Sequence, residues 1–316
     1  MTWADDGSLY SSWGDGGGFG GSDSLGRVSL GFARIEGGPR RCSGDNVWGG
    51  LNPGHPARFE GKSDGIVCVG GTLYAWIEHW NPGHRTVESQ LAWSKDHGAA
   101  WHLPPWAFDF REGFTLPALL NFGRDYRGAR DRYVYAYSVR PTWGPGPTAR
   151  TTSGWDVYKP GRVDLFRAPR DALLDRSRYE FFAGRNAEGG PIWSSRMKDR
   201  RPVFADPNGV GWCVGVAYDA GLKRYLLSTE HTATCAGDFG LFDAPEPWGP
   251  WTTVAYLTSW GKGRIQLTTF NWNFTSKWMS ADGTHFTLIF SGTKSNDSFN
   301  TVAGTFIPAG VPPGLP

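Results

Sequence analysis

Residues 70–79 read GGTLYAWIEH, a tight glycine turn followed by an aromatic-rich strand, and this pairing recurs along the chain. It returns as DDGSLYSSWGD at 5–15, RDRYVYAYSVR at 130–140, LKRYLLSTEH at 222–231 and DGTHFTLIFS at 282–291. With Leu9, Leu73, Val134, Tyr225 and His285 taken as equivalent, the intervals are 64, 61, 91 and 60 residues. The long interval holds PTWGPGPTARTTSGWDVYKPG, whose Pro, Gly and Thr content reads as an excursion loop.

On the C-terminal side of the first four of these strands lie VSLGFARIEG, SQLAWSKDHG, VDLFRAPRD and FGLFDAPEP, each reading as a third strand running to a turn. Apolar runs precede the tight turns: GIVCV, LPALLNF, VGVAYD and SKWMS. The unit is a meander of three or four antiparallel strands used five times, which predicts an all-β, five-bladed β-propeller. One domain is expected over 1–316, with blades at about 1–40, 62–108, 114–184, 202–256 and 264–308. A repeat of this size exceeds the roughly 40 to 50 residues of WD40 or kelch units. The alternative, a β-sandwich, would not produce the period.

Composition agrees with that architecture. The 316 residues are 39% hydrophobic, with 45 Gly, 22 Pro and 17 Trp, and many short strands broken by Gly/Pro turns suit an all-β chain. Tryptophan in excess reads as blade packing or as flat platforms for sugar rings. The net charge of +2 is mixed along the sequence and no apolar run reaches the length of a membrane span, so neither nucleic acid nor lipid is expected as a partner. Cys42, Cys68, Cys213 and Cys235 show no C-x-x-C spacing, which argues against structural zinc. With Met1-Thr2-Trp3 almost on a strand and no basic-then-apolar leader, a secreted or periplasmic protein freed of its signal peptide is expected, as a monomer.

Two shorter motifs sit on this repeat. WGDGGGFGG (13–21) contains G-x-G-x-x-G at Gly16, Gly18 and Gly21, but a dinucleotide site needs a strand before it and a helix after it. The residues after the glycines have strand periodicity at Val28, Leu30, Phe32 and Ile35 and no helical cap. SKDHGAAW (94–101) matches the Asp box S-x-D-x-G-x-x-W, in which the Asp caps its own turn, and SADGTHF (280–286) is a shortened version. Asp96 is therefore structural.

In a propeller the exits of the second strands and the entries of the first share one face. The equivalent exits are Asp15, His79, Arg140, His231 and Ser291, a ring of ionisable and polar groups at one rim. The glycines after Asp15 then read as a loop kept bare so that a bulky ligand can reach its carboxylate. Glu78 and Glu230 precede the two histidines and point to alternate sides. First-strand entries add Lys62, Asp64, Asp206, Asn208, Asn271, Asn273 and Lys277, and Trp80, Trp143 and Trp272 are expected in loops of the same face. Polar groups and tryptophans around a concave opening suit an oligosaccharide or polysaccharide.

TWADDGSLYSSWGDGGGF, AWSKDHGAAW, FRAPRDALLDRSRYEFFAG, FDAPEPWGPWTTV and SKWMSADG resemble a bacterial family of five-bladed propellers, formerly of unknown function, that is related to endo-D-arabinanases. The resemblance runs nearly end to end. It implies glycoside hydrolysis and matches Asp15 to a catalytic Asp of the arabinanase-like relatives; the Glu-His pairs are not part of the matched motifs.

These residues allow two chemistries. A glycoside hydrolase needs one ionised carboxylate and one protonated carboxyl, with Asp15 as base or nucleophile and Asp206, Glu78 or Glu230 as acid. A polysaccharide lyase acting on a uronate needs a cation and a base of near-neutral pKa, which Arg140 with His79 or His231 would supply, Tyr137 protonating the leaving oxygen. A non-catalytic glycan-binding propeller is the third reading. No cofactor is expected; Asp15, His79 and His231 form the one set from which a divalent cation organising the substrate could be held.

Overall fold

The computed structural model describes residues 1–52, 54–55, 61–81, 86–141, 156–261, 263–265, 268–293, 297–307 and 309. Five antiparallel sheets follow one another along the chain. The first contains β1 (Thr2–Trp3), β2 (Leu9–Trp13), β3 (Gly31–Gly38) and β4 (Arg41–Trp48), and the second β5 (Gly61–Val69), β6 (Thr72–Trp80), β7 (Thr86–Ser94) and β8 (Phe108–Asp109). The third holds β9 (Ala118–Leu119), β10 (Tyr133–Val139), β11 (Gly161–Pro169), β12 (Glu180–Arg185), β13 (Pro191–Ser194) and β14 (Pro202–Asp206). The fourth is β15 (Val214–Asp219), β16 (Arg224–Glu230), β17 (Phe239–Ala244) and β18 (Thr252–Leu257), and the fifth β19 (Thr268–Met279), β20 (His285–Thr293) and β21 (Asp297–Thr305).

The innermost strands touch in cyclic order, β1 with β5, β5 with β9, β9 with β15, β15 with β19 and β19 with β1, so the sheets are the blades of a five-bladed propeller. The five repeated stretches are the second strands, β2, β6, β10, β16 and β20. Blade limits differ from the expected ones in two places. The first sheet continues through β4 to Trp48, and Pro202–Asp206 belongs to the third sheet, paired with Gly161–Asp164, rather than opening the fourth.

Aromatic side chains make the core between blades. Trp76 stacks on Phe108 at 5.6 Å and Phe108 on Phe114 at 4.6 Å, with Phe166 edge-on to all three. Each such ring removes about 150–250 Å² from water, which is the main drive for blades that share no hydrogen-bonded edge. The Asp box behaves as read: Asp96 Oδ1 accepts from Ser94 Oγ at 2.7 Å and from Ala100 N at 2.9 Å, Gly98 has φ +91°, and Trp101 stacks on Phe32 of the neighbouring blade at 4.2 Å. The four cysteines form no disulfide with one another.

Among the described residues no blade mixes strands from the two chain ends. The ring closes through side chains: Trp278 and Ile289 of the fifth blade pack with Leu9 and Ile35 of the first, and Lys277 Nζ donates to Gly7 O at 2.7 Å.

Candidate active site

A cavity of about 480 Å³ opens on the face where second strands end and first strands begin. Its walls come from the Trp13–Asp23 segment, from Lys62–Asp64 at the entry of β5, from Trp212, and from Phe270, Asn271, Asn273, Ser291 and Phe299 of the fifth blade. It sits at the seam where the first and last blades meet.

Asp15 lies on one wall in the left-handed conformation, φ +57°. Two cations face it: Lys62 Nζ is 2.8 Å from Oδ2 and Arg27 Nη2 is 3.2 Å from Oδ1. Lys62 is itself almost buried, donates to Ser29 O at 2.8 Å and lies 5.1 Å above the Trp80 ring, so its ammonium is fixed where the carboxylate needs it.

Asp64 lies on another wall, in a bulge of β5 where pairing with β6 slips between Lys62 and Gly65. The residue keeps partial contact with the cavity, but its Oδ2 is buried without a hydrogen-bond partner. Burial, reinforced by the nearby Glu78 carboxyl, pushes its pKa up to about 7, while the Cys213 thiol and Lys62 pull the other way. An ionised carboxylate with one oxygen unpartnered is costly, so the neutral acid predominates below about pH 7.

Of the residues singled out from sequence, the cavity gathers Asp15, Lys62, Asp64, Asn271, Asn273 and Ser291. The remaining members of the expected rim are engaged elsewhere. Arg140 is clamped onto the buried Asp164 through Nε, at 2.7 Å, and Nη2, alongside Arg200 Nε at 2.9 Å. His231 is 1% exposed: Nε2 donates to Leu257 O at 3.1 Å, Nδ1 accepts from Thr232 Oγ1 at 2.9 Å, and the ring stacks on Tyr256. His79 pairs with Gln90 Oε1 at 3.1 Å, and burial lowers its pKa. Tyr137 is wholly buried, donates to Pro247 O at 2.8 Å, and burial raises its phenol far above the ordinary value.

The carboxyls expected as partner acids are also elsewhere. Glu78 is enclosed by Thr86 Oγ1 at 2.6 Å, Thr115 Oγ1 at 2.7 Å and Trp80 Nε1 at 3.1 Å. Glu230, pushed up to about 8 by burial, accepts from Cys235 N at 2.7 Å, and neither glutamate lines the cavity. Asp206 caps its own turn through Asn208 N at 2.8 Å and accepts from Tyr256 OH at 2.8 Å, with Asn208 Nδ2 on the same hydroxyl. Trp272 is a core residue 2% exposed, 4.7 Å from the Phe239 ring, because the bulge at Asn271 (φ +51°) reverses the alternation of β19. Trp143 lies outside the described residues. The cation-binding set Asp15, His79 and His231 does not converge, since neither histidine lines the cavity.

The glycine-rich loop lines the cavity beside Asp15, and two of its glycines also let it fold back on itself: a Cβ on Gly17 would sit 2.0 Å from Leu25 O, and one on Gly18, at φ +69°, 2.2 Å from Asn46 Oδ1. Asn46 of β4 holds the loop, donating to Gly17 O and Phe19 O at 3.1 and 3.0 Å and accepting from Phe19 N at 2.9 Å. Asn46 and the desolvated setting of Asp64 are what the sequence reading missed. For Asp64 a signal existed, charged residues in KSD at the mouth of an otherwise apolar inner strand; for Asn46 there was none.

No protein-family model matches the chain, and no curated protein matches it in sequence. Solved structures match it in shape. The GH43_1 enzyme from Xanthomonas citri is 13% identical over 97% of this chain and 86% of its own, with a TM-score of 0.53. A thermostable family-43 glycoside hydrolase is 13% identical over 92% and 86%, with a TM-score of 0.51. CoXyl43, a GH43 β-xylosidase/α-arabinofuranosidase from a compost microbial metagenome, in complex with xylotriose and calcium-free, is 14% identical over 97% and 90%, with a TM-score of 0.53. At these identities the likeness is one of fold: the chain shares the five-bladed propeller of these proteins.

Proposed function

We propose that the protein is a glycoside hydrolase that cleaves an oligosaccharide or polysaccharide in the seam cavity, with Asp15 and Asp64 as its two working carboxyls. The observation that carries this reading is their contrast within one cavity: Asp15 stands between two cations, whereas Asp64 is desolvated and has a partnerless oxygen. Hydrolysis of a glycosidic bond asks for that division. Asp64 donates its proton to the leaving oxygen as the bond to the anomeric carbon breaks. Asp15 takes a proton from the attacking water or attacks the anomeric carbon itself. Lys62 fixes the Asp15 carboxylate, and Asn271, Asn273 and Ser291 offer hydrogen bonds to sugar hydroxyls. The endo-D-arabinanase resemblance and the xylose-related ligands of the structural neighbours make arabinan and xylan fragments the first substrates to try.

Elimination is disfavoured by a specific observation. Its uronate-binding cation, Arg140, is held on Asp164 outside the cavity, and neither histidine reaches the cavity.

The test is a panel of plant and microbial glycans monitored for both reducing ends and ultraviolet absorbance. Saturated products with new reducing ends are expected, and Asp15→Asn should lower kcat by about 10³-fold in protein that still unfolds cooperatively, at a melting temperature lowered by the loss of the Lys62 pair. Unsaturated products, or full turnover by that variant, would overturn the assignment.

A further inference from the structure

Beyond the two carboxyls the cavity runs along the seam to Phe19 of the glycine-rich loop and Phe299 of β21, whose ring centroids are 5.9 Å apart at 60°. Phe299 keeps 39% of its surface exposed, an unusual state for a ring that gains so much by burial. Phe19 is held in advance of any ligand. Both its backbone polar atoms are bonded to the Asn46 amide, and its ring lies so close over Gly44 that a Cβ there would be 2.2 Å away. A ring fixed on both sides loses little freedom when it grips a ligand.

Hydrogen-bonding groups flank the rings. Ser291 and Ser298 line the same space, as does Asn271, whose left-handed backbone sets its amide in the bulge and whose Oδ1 accepts from Asn273 Nδ2 at 2.8 Å. Apolar faces edged by hydroxyls and amides match a sugar ring, which offers C–H groups on its face and hydroxyls at its rim.

We infer that Phe19 and Phe299 form a second sugar subsite, gripping a ring of the glycan beyond the one at the carboxyls, with Ser298 and Asn271 taking its hydroxyls. The location relative to the cleaved bond rests on the hydrolase reading; the binding does not. The competing account is that the two rings merely extend the apolar seam of Leu9, Ile35, Trp278 and Ile289, against which Phe19 packs.

Binding of xylo- and arabino-oligosaccharides of one to six residues is measured by titration calorimetry on the Asp15→Asn protein, alone and with Phe299→Ala or Phe299→Tyr added. Affinity for at least one series should rise with chain length, Phe299→Ala should remove about tenfold of that rise, and Phe299→Tyr should keep it. An unchanged rise in the alanine variant, or no binding by any probe, overturns the subsite. Cleavage by the unmodified chain is scored separately: a length-dependent, Phe299-dependent affinity without cleavage sinks the hydrolase reading and keeps the subsite, and cleavage indifferent to Phe299 does the reverse.

Discussion

Taken as single residues, Asp64 and Glu230 work against the fold. A carboxyl in the unfolded chain loses its proton near pH 4, but burial holds Asp64 at about 7 and Glu230 at about 8. Between those limits these two groups bind more protons in the folded chain than in the unfolded one, so their contribution to stability falls as pH rises from about 4 to about 8. Asn at position 64 removes one of the two titrations. The unfolding free energy of Asp64→Asn, measured by denaturant titration, should match that of the parent near pH 4 and exceed it at pH 8, by about 2 kcal/mol once its partial exposure is discounted. A gain equal at both pH values would place the titration elsewhere. On the proposed hydrolase mechanism the same proton predicts an alkaline limb in kcat/KM near pH 7, where Asp64 would lose the proton it gives to the leaving oxygen. The group is retained at a cost in stability, as working sites commonly are.

Among the strands and loops, the strands were legible in the sequence and side-chain placement at their ends was not. The turn-plus-aromatic repeat located all five second strands because a half-buried sheet imposes its period directly on the sequence. Carrying that alternation past the last paired residue failed. β2 ends at Trp13, so Asp15 sits on a loop with its own geometry, and the bulge at Asn271 turns Trp272 into the core. The strand-end polar groups Arg140 and His231 were drawn off the rim by Asp164 and by Leu257 and Tyr256, partners that only folding brings near. The strand-exit register and the resemblance both pointed to Asp15, which lines the cavity; Asn46, on an outer strand, was silent. Its three bonds hold the loop that carries Asp15. Asn46→Ala should lower kcat/KM by about 10- to 100-fold and stability by about 2 kcal/mol, with Asn46→Asp recovering only part because it lacks the two donors. Loss of stability alone, at full activity, would mean that the loop holds its pose without them.

For the propeller as a whole, the cavity lies at the one blade interface joined across the two ends of the chain. The other four interfaces join sheets consecutive in sequence, whereas this one rests on Trp278, Ile289, Leu9 and Ile35, on the Phe19–Phe299 contact and on a bond from Lys277. A site walled by both blades therefore exists only while the seam is shut. Trp278→Ala and Phe166→Ala each remove a buried aromatic, the first at the seam and the second in the third blade, and each should cost about 3–5 kcal/mol. Their effects on catalysis should differ. Below both melting temperatures the seam variant should lose most of its kcat/KM and the third-blade variant should keep its own, because opening of the seam separates Asp15 from Asn271 and Ser291 while looser packing around Phe166 does not reach them. A saturating oligosaccharide should raise the melting temperature of Trp278→Ala more than that of Phe166→Ala, since only in the former does the ligand bridge the weakened interface. Equal losses of activity and equal ligand shifts in the two variants would show that the site draws on the whole ring rather than on the seam.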